Sequence, residues 1–510
     1  MREQDPELAL RQQEELRRRA RVLADQVFSR TAGAQLVGGN AVRLHRDAAE
    51  TYPAWLEAID GANRYIHFEN YILHDDKIGN TFADAMILAA RRGVRVRLIY
   101  DWMGCLGIAS SRFWNRLRSG GVEVRTYNPP KVTAPLGWLS RDHRKMLAVD
   151  GTVAFVTGLC VGDMWVGDPA RKLEPWRDTG LELRGPAVAD VEEAFAQQWV
   201  SLGPPIPAED RVRIEELPVM GTVAVRVIDS LPSSARLLRL DQLFASLARK
   251  RIWLTDAYYT GTASHVQALK AAAREGVDVR LLLPNTSDIP ILKPVSQAGY
   301  VPLLEAGVRI FEWNGTMLHA KTAVVDGRWA RVGSSNLNLA SWLNNCELDV
   351  AIEDEGIAGE LEAHFLEDLA NSTEIVLEPK PAKAAGAKAK PRPFDHRENA
   401  PALGSRGGRS GPAAAGALRV GHALGAAISS HRVLEDAETR LMVGAGGILL
   451  ALALLFWWVP WLLAYPLIVG FGWVALSLLY GGWKLRQRDR GEQKKVLASD
   501  GKRPPARETP

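Results

Sequence analysis

The chain has 510 residues, of which 47% are hydrophobic and 24% charged, and its 63 Lys and Arg nearly balance 59 Asp and Glu, for a formal net charge of +4. This composition excludes a disordered tail protein, a collagen and a disulfide miniprotein, and the near-neutral charge does not suggest a nucleic-acid binder. Three widely separated cysteines, Cys105, Cys160 and Cys346, form neither a disulfide framework nor a CxxC metal pair, and they indicate a reducing compartment.

Residues 1–36 form an N-terminal segment. The sequence MREQDPELALRQQEELRRRARVLADQVFSR predicts a charged helix. Because it lacks the apolar core of a signal peptide, we expect no cleavable signal and no export of the large domain that follows.

Residues 37–377 alternate apolar, β-rich runs with helical stretches. YIHFENYIL, FADAMILAARRG and VRVRLIYDW predict a strand, a helix and a strand, and RIWLTDAYYT, VQALKAAAREG and VDVRLLLPN repeat that order. Gly93 and Gly276 are expected just beyond the ends of the two helices. Such βαβ units imply parallel strand pairs and right-handed crossovers. The sequence therefore predicts an α/β fold of two tandem domains, at 37–208 and 209–377, each large enough for its own core.

A polar constellation occurs once in each predicted domain. RDHRKMLAVDG contains His143, Lys145 and Asp150, and LHAKTAVVDGRW contains the same residue types 176 positions later, at His319, Lys321 and Asp326. One HxKxxxxD pattern would be weak evidence, but its duplication inside a duplicated domain is a strong signal of a shared site.

The spacing has a chemical interpretation. His and Lys at positions i and i+2 of a strand project from the same face and can reach one ligand. Histidine can act as nucleophile or general acid, lysine can stabilise an oxyanion, and the aspartate could orient the imidazole. Two such sets facing each other across a pseudo-twofold axis suit a two-step displacement at phosphorus. No HExxH, CxxC, P-loop or GxGxxG pattern indicates a metal, ATP or NAD, so we expect no cofactor and no metal.

The C-terminal quarter differs sharply from the rest. Residues 378–416, including PKPAKAAGAKAKPRP, predict a flexible basic linker, and a weaker helical pattern at 417–440 predicts a juxtamembrane helix. The next 40 residues, 441–480, contain no Asp, Glu, Lys, Arg or His. One helix of that length would be about twice as long as a bilayer core is thick. A break at Pro460 would leave two membrane spans within 441–482, the alternative being a buried hairpin in a soluble core.

Flanking residues orient the predicted hairpin. Trp457, Trp458 and Trp461 surround its turn, as an aromatic belt at the far interface would. Arg440 precedes the first span, and basic residues fill the tail at 483–510. The positive-inside rule then predicts a multi-pass protein of the inner, cytoplasmic membrane, with its catalytic domains facing the cytoplasm.

Both HxKxxxxD motifs, with GSSN at 333–336 after the second, resemble the phospholipase D superfamily. FENYI, AARRGVRVRLIYD and DHRKMLAVDGTVAFVTGL are similar to its bacterial cardiolipin synthase branch, and the likeness covers about two thirds of the chain. The resemblance implies a metal-independent phosphatidyltransferase with a phosphohistidine intermediate. It further implies that Ser335 and Asn336 bind phosphate, and that Asp178 in WRDTG and Glu347 in NNCELD each support the histidine of the opposite motif.

The first half departs from the family pattern. Where a Gly-Gly-x-Asn turn is usual, the chain reads TGLCVGD, with Cys160 at the position of the amide. One phosphate contact is therefore missing or supplied by another group. Cys160 as nucleophile is an alternative to its burial as a packing residue. The resemblance favours His143 as nucleophile and His319 as general acid.

The expected function is transfer of a phosphatidyl group from phosphatidylglycerol to the hydroxyl of a second phospholipid, at the inner membrane. Three alternatives stay open: a phospholipase D-type hydrolase acting on phospholipid, a nuclease, and an inactive lipid-binding scaffold. The hairpin and the lack of a concentrated basic stripe disfavour nucleic acid as a partner. The sequence leaves the acceptor and the oligomeric state open.

Overall fold

The computed structural model describes residues 6–130 and 139–377 and, with gaps, residues 447–480. In the first two ranges the α-helices are α1 (Pro6–Ala32), α2 (Asp47–Asp60), α3 (Lys77–Arg91), α4 (Ser111–Ser119), α5 (Asp163–Val166), α6 (Val188–Ser201), α7 (Arg236–Leu247), α8 (Ala263–Arg274), α9 (Leu292–Ala298), α10 (Val301–Leu304), α11 (Leu339–Leu343) and α12 (Glu355–Ala370). The strands are β1 (Val37–Arg46), β2 (Tyr65–Asn70), β3 (Arg95–Asp101), β4 (Glu123–Tyr127), β5 (Lys145–Val149), β6 (Val153–Thr157), β7 (Thr179–Arg184), β8 (Val223–Ser230), β9 (Arg251–Thr255), β10 (Asp278–Pro284), β11 (Arg309–Trp313), β12 (Thr322–Val325), β13 (Trp329–Gly333), β14 (Glu347–Glu353) and β15 (Ser372–Ile375).

The strands join into one mixed sheet whose order is nearly symmetric about its middle. From one edge to the other it runs β15-β11-β10-β9-β12-β13-β14-β8-β1-β7-β6-β5-β2-β3-β4. The two sequence halves meet where β8 pairs with β1 in antiparallel orientation. Outward from this joint both halves repeat one order, so the duplication read from the sequence is present in the topology.

The predicted βαβ units are present in both halves. β2 is parallel to β3, and β9 is parallel to β10. The helices between them begin at side-chain caps, where Asp76 accepts from the Gly79 amide and Thr262 from the His265 amide. Both helices end before a glycine at φ +93°, a left-handed conformation that glycine adopts without strain. Antiparallel strands complete the sheet, as β5 and β6 do in the first half.

The two halves share part of their hydrophobic core. One buried cluster combines Val156 of β6 and Phe195 of α6 with Val332 of β13 and Val350 of β14. β13 and β14 pack against β6, so the long sheet folds back on itself at the middle. The halves therefore share this central cluster. A second cluster belongs to the first half alone, and a third combines residues of the second half with Phe28 and Ala32 of α1.

The predicted C-terminal elements lie wholly or partly outside the described residues. This applies to the linker at 378–416, the juxtamembrane helix at 417–440, the tail at 483–510 and many positions of the hairpin at 441–482. Among the residues that are described, no helix combines the length and the apolar character needed to cross a membrane. The hairpin stays a prediction.

Candidate active site

His143 lies just before β5 and contacts a carboxylate from the other half of the chain. Its Nδ1 is 2.9 Å from Oε2 of Glu347, the first residue of β14. Glu347 is fully buried and also accepts hydrogen bonds from the Ser334 hydroxyl at 2.6 Å and from the side-chain amide of Asn345 at 3.0 Å. Because the carboxylate holds the proton of Nδ1, Nε2 keeps its lone pair for a substrate atom.

His319 lies in the segment before β12 and contacts a carboxylate of the first half, so the arrangement at His143 is repeated in the opposite direction. Its Nδ1 is 2.7 Å from Oδ2 of Asp178, which is fully buried beside β7. Asp178 also accepts from the Trp165 indole N–H at 3.2 Å and the Thr179 amide at 2.8 Å. Both histidine–carboxylate contacts expected from the family resemblance are thus present in the structure.

Backbone hydrogen bonds between the halves hold both pairs in place. The His143 amide donates to the carbonyl of Cys346, which directly precedes Glu347, at 2.9 Å. The His319 amide donates to the carbonyl of Arg177, the residue before Asp178, at 2.7 Å. Each histidine is therefore positioned by main chain, and neither half completes a histidine–carboxylate pair alone.

Burial and charge set the protonation of the two imidazoles. Burial lowers the pKa of His143 to about 4; the Glu347 carboxylate opposes the shift, and nearby lysines add to it. Burial and the adjacent Lys321 lower the pKa of His319 to about 3, against the opposing effect of Asp178. With these pKa values both rings are neutral at pH 7, as an attacking imidazole must be. A general acid would gain its proton only when an anionic substrate favours the charged form.

Two buried lysines supply the positive charge of the site. The Lys145 ammonium donates to the His143 carbonyl at 2.6 Å, and Lys321 makes the same bond to the His319 carbonyl. Burial lowers the pKa of Lys321 to about 8, the nearby Lys145 charge adding to the shift and Asp178 opposing it. Each lysine acts electrostatically on the histidine of the opposite half as well. An anion bound between the two histidines would relieve this repulsion.

The aspartates of the HxKxxxxD motifs do not reach the histidines. Asp150 follows β5 at the end far from His143, and its carboxylate accepts from the backbone amides of residues 63–65 at 2.7–2.9 Å. Asp326 accepts from the amides of residues 249–251 at 2.8–2.9 Å. The prediction that they orient the imidazoles was therefore wrong: a strand of five residues (β5) or four residues (β12) separates them from the site, and they fasten the turn before β2 or β9.

Comparison with known proteins agrees with this geometry. Residues 55–161 and 243–369 match the family model described as cardiolipin synthase, PLD-like domain. A cardiolipin synthase of Alkalihalophilus pseudofirmus is 33% identical over 357 residues, which are 69% of this chain and 68% of the relative. The chain belongs to the cardiolipin synthase family of the phospholipase D superfamily. A Staphylococcus aureus cardiolipin synthase is 31% identical over 345 residues, 67% of this chain and 69% of the relative.

A solved structure supports the fold of this family member. The crystal structure of phosphatidylserine synthase from Haemophilus influenzae matches with a TM-score of 0.52, covering 66% of this chain and 87% of the other. At 13% sequence identity the likeness concerns the fold alone. The family assignment makes the chain an enzyme of the phosphatidyltransferase and phospholipase D superfamily. In the part of the chain that the structure describes, no group of three or more His, Cys, Asp or Glu side chains could hold a metal ion.

The two serines of the GSSN turn contact two buried carboxylates. The Ser335 hydroxyl donates to Asp349, two residues along β14 from Glu347, and its contact with phosphate stays a prediction. The serine that donates to Glu347 is Ser334, which is not among the predicted site residues. Asn336 is buried, and its Oδ1 has no hydrogen-bond partner among the residues that the structure describes.

Cys160 occupies the position of Asn336 in the first half, since 336 − 160 is again 176. It is buried in the first half's core, and burial raises the pKa of its thiol. A neutral buried thiol is a poor nucleophile, so the geometry favours packing for Cys160.

Aromatic rings around the histidines were also missed. Trp165 and Trp176 lie with ring centroids 5.7 Å from that of His319, and Tyr258 is at 5.8 Å. On the other side the Tyr71 ring lies 4.8 Å from His143. No sequence spacing relates these four residues, so only the folded chain brings them together.

Proposed function

We propose that the protein is a membrane-associated phosphatidyltransferase of the cardiolipin synthase type. The observation that carries this proposal is the pair of buried imidazoles, His143 and His319, each bound through Nδ1 by a carboxylate of the other half. Membership of the cardiolipin synthase family supports phosphatidylglycerol as donor and a second phospholipid as acceptor.

In the first step Nε2 of His143 attacks the phosphorus of the donor lipid. The bond between phosphorus and the headgroup oxygen breaks, and protonated His319 gives its proton to the leaving alcohol. The products are a phosphatidyl group on His143 and free glycerol. The buried charges of Lys145 and Lys321 stabilise the added negative charge in the transition state.

In the second step a hydroxyl of the acceptor lipid replaces His143 on phosphorus. His319, now neutral, accepts the hydroxyl proton while the phosphorus–nitrogen bond breaks, and both histidines return to their starting state. With phosphatidylglycerol as acceptor the product is cardiolipin. Water in place of the lipid would give phosphatidic acid, so exclusion of water separates synthesis from hydrolysis.

Exposed apolar side chains next to the site support a lipid substrate. Leu106 is 54% exposed in the loop where Gly104 packs closely on Tyr71. Val166, 42% exposed, directly follows Trp165, and Ile291, 70% exposed, lies near Asp288, which accepts from the Tyr258 hydroxyl. Segments that touch the rings of the site thus present apolar groups to the surroundings, where acyl chains would lie.

We also propose that residues 441–482 anchor the enzyme as a hairpin in the inner membrane, with the catalytic body on the cytoplasmic side. The uncharged 40-residue run and its basic flanks support this placement. Protease added to spheroplasts should leave the catalytic body intact, whereas protease added to inverted vesicles should digest it. The reverse pattern, or release of the protein by alkaline carbonate, would refute the proposal.

The function is tested with purified full-length protein in phosphatidylglycerol vesicles, with products identified by mass. We expect cardiolipin and glycerol from the wild type and neither from His143→Ala or His319→Ala. His364→Ala, a histidine change on α12, is the matched control and should keep full turnover.

The same assay separates the alternatives. Phosphatidic acid without cardiolipin would indicate a hydrolase, and cleavage of single-stranded DNA but not lipid would indicate a nuclease. Lack of turnover of every substrate by folded wild type would indicate a scaffold.

A further inference from the structure

Asn70, the last residue of β2, carries a buried carboxamide that is not used within the protein. Its side chain is 1% exposed, and neither Oδ1 nor Nδ2 has a hydrogen-bond partner among the described residues. An unpaired buried amide is unfavourable, so it is expected where a ligand completes the hydrogen bonds.

Strand register puts Asn70 beside the catalytic groups. It is paired with Lys145 across the antiparallel ladder of β2 and β5, and directly opposed residues project from the same face. The next residue, Tyr71, has its ring 4.8 Å from the His143 ring and 5.1 Å from the Lys145 ammonium. The free carboxamide therefore lies at the first half's side of the phosphate position.

The second half uses the corresponding position for another purpose. Thr255 pairs with Thr322, so the next residue, Asp256, is the neighbour of Lys321. Its carboxylate accepts from the Leu337 amide at 2.8 Å and the Tyr258 amide at 3.0 Å. Asp256 thus holds the turn that carries Asn336, and each of its carboxylate oxygens accepts a backbone hydrogen bond.

The first half does not need that support. Val161, which precedes Leu337 by 176 positions, donates its amide to the Ile72 carbonyl at 3.1 Å. Asn70 is therefore left free, in the half where Cys160 has replaced the turn carboxamide. The unpaired carboxamide of Asn70 and the missing carboxamide at Cys160 therefore occur in the same half of the site.

We propose that Asn70 donates to the substrate phosphate the hydrogen bond that Cys160 cannot supply. The site then has one carboxamide from each half, Asn70 on a strand and Asn336 on a turn. This inference rests on the proposed phosphoryl chemistry and assigns a substrate-binding role to a residue outside both HxKxxxxD motifs.

The experiment measures inhibition by inorganic phosphate and turnover of a soluble short-chain phosphodiester, with full-length protein. Asn70→Ala should weaken phosphate inhibition and lower kcat/KM by about 10- to 100-fold. Asn70→Asp, which keeps the shape of the side chain but adds negative charge, should weaken phosphate inhibition and lower kcat/KM further. In Asn70→Ala/Cys160→Asn a carboxamide returns on the turn, and both quantities should recover to within a few-fold of the wild type.

Two results would overturn the proposal. One is Asn70→Ala with unchanged phosphate inhibition. The other is a loss of activity in Asn70→Ala that Cys160→Asn does not reverse, accompanied by a lower thermal unfolding temperature, which would show a structural role. Phosphate inhibition does not depend on the lipid acceptor, and His143→Ala reports the chemistry separately. A wrong acceptor assignment therefore leaves this test intact.

Discussion

The two halves of the molecule have the same backbone plan but surround their histidines differently. Glu347 at His143 accepts from a serine hydroxyl and an asparagine amide, whereas Asp178 at His319 accepts from the Trp165 indole and a backbone amide. Duplication kept the positions of histidine, lysine and carboxylate and let their neighbours change. A reaction in which one imidazole attacks and the other moves a proton requires such unequal surroundings.

The lack of a serine counterpart in the first half has a steric reason. Gly158 precedes Ser334 by 176 positions and packs directly on the Asp178 carboxylate, so any side chain there would collide with it. Trp165 reaches the same carboxylate from α5 instead. The two halves thus complete one function with different donors.

The largest expected effects separate the two histidines. His143→Ala and His319→Ala should each lower turnover of lipid by about 10³-fold or more. With a substrate whose leaving group needs no proton, His319→Ala should still accumulate a phosphohistidine, and His143→Ala should form none. Acid-free quenching and mass analysis detect the adduct. An adduct in His143→Ala instead would exchange the two roles.

The second prediction concerns the charge of Lys321. Because its pKa is lowered to about 8, its charge is present below that pH and is lost as pH rises through it. We expect kcat/KM to decline above about pH 8 in the wild type. Lys321→Arg, which stays charged, should remove this decline up to pH 10. If the matched variant Lys145→Arg removes it instead, the assignment to the second half is wrong.

The third prediction compares the donors to the two carboxylates. Ser334→Ala removes a hydroxyl from Glu347, and Trp165→Phe removes the indole N–H from Asp178 while keeping an aromatic ring. Each should lower kcat by roughly 10-fold, since a hydrogen bond to a charged group contributes about 1.5–3 kcal/mol and other donors remain. The phosphohistidine assay assigns each loss to formation or breakdown of the intermediate. Equal slowing of both steps by both variants would show that the two halves are not specialised.

The smallest effects on catalysis are expected from the motif aspartates. Asp150→Asn and Asp326→Asn should each lower the free energy of unfolding by about 1–3 kcal/mol, because one carboxylate oxygen becomes a donor facing backbone amides. The kcat of folded protein should stay near the wild-type value. Denaturant unfolding and turnover at 15 °C measure the two properties. A large loss of kcat with unchanged stability would show that the two aspartates act in catalysis after all.

Local sequence patterns were enough to predict the duplicated α/β fold. The apolar runs, Gly93, Gly276 and the constant spacing of 176 residues predicted the βαβ units and the tandem α/β fold, because each depends on residues close in sequence. The family resemblance added Asp178 and Glu347 as partners of the opposite histidines.

The rest depends on contacts between distant segments. Strand alternation relates His143 to Lys145, but it does not show that the strand ends before Asp150 or that this carboxylate turns towards backbone amides. Trp165 lies on the short helix α5 and Tyr71 follows the end of β2, and the course of both segments depends on packing. The shared core likewise could not be read from either half, since it forms where β13 and β14 meet β6.

The histidine–carboxylate pairs between the halves also affect how the enzyme folds. The His143–Glu347 pair joins residues 204 positions apart, so it can close only after the ribosome has made β14. Contacts of such long sequence separation slow folding, because the entropy of a long loop is lost before they form. A growing chain that exposes only its first half holds His143 without its carboxylate. The phosphoryl-transfer machinery is thus assembled only after synthesis has passed β14, which begins at Glu347.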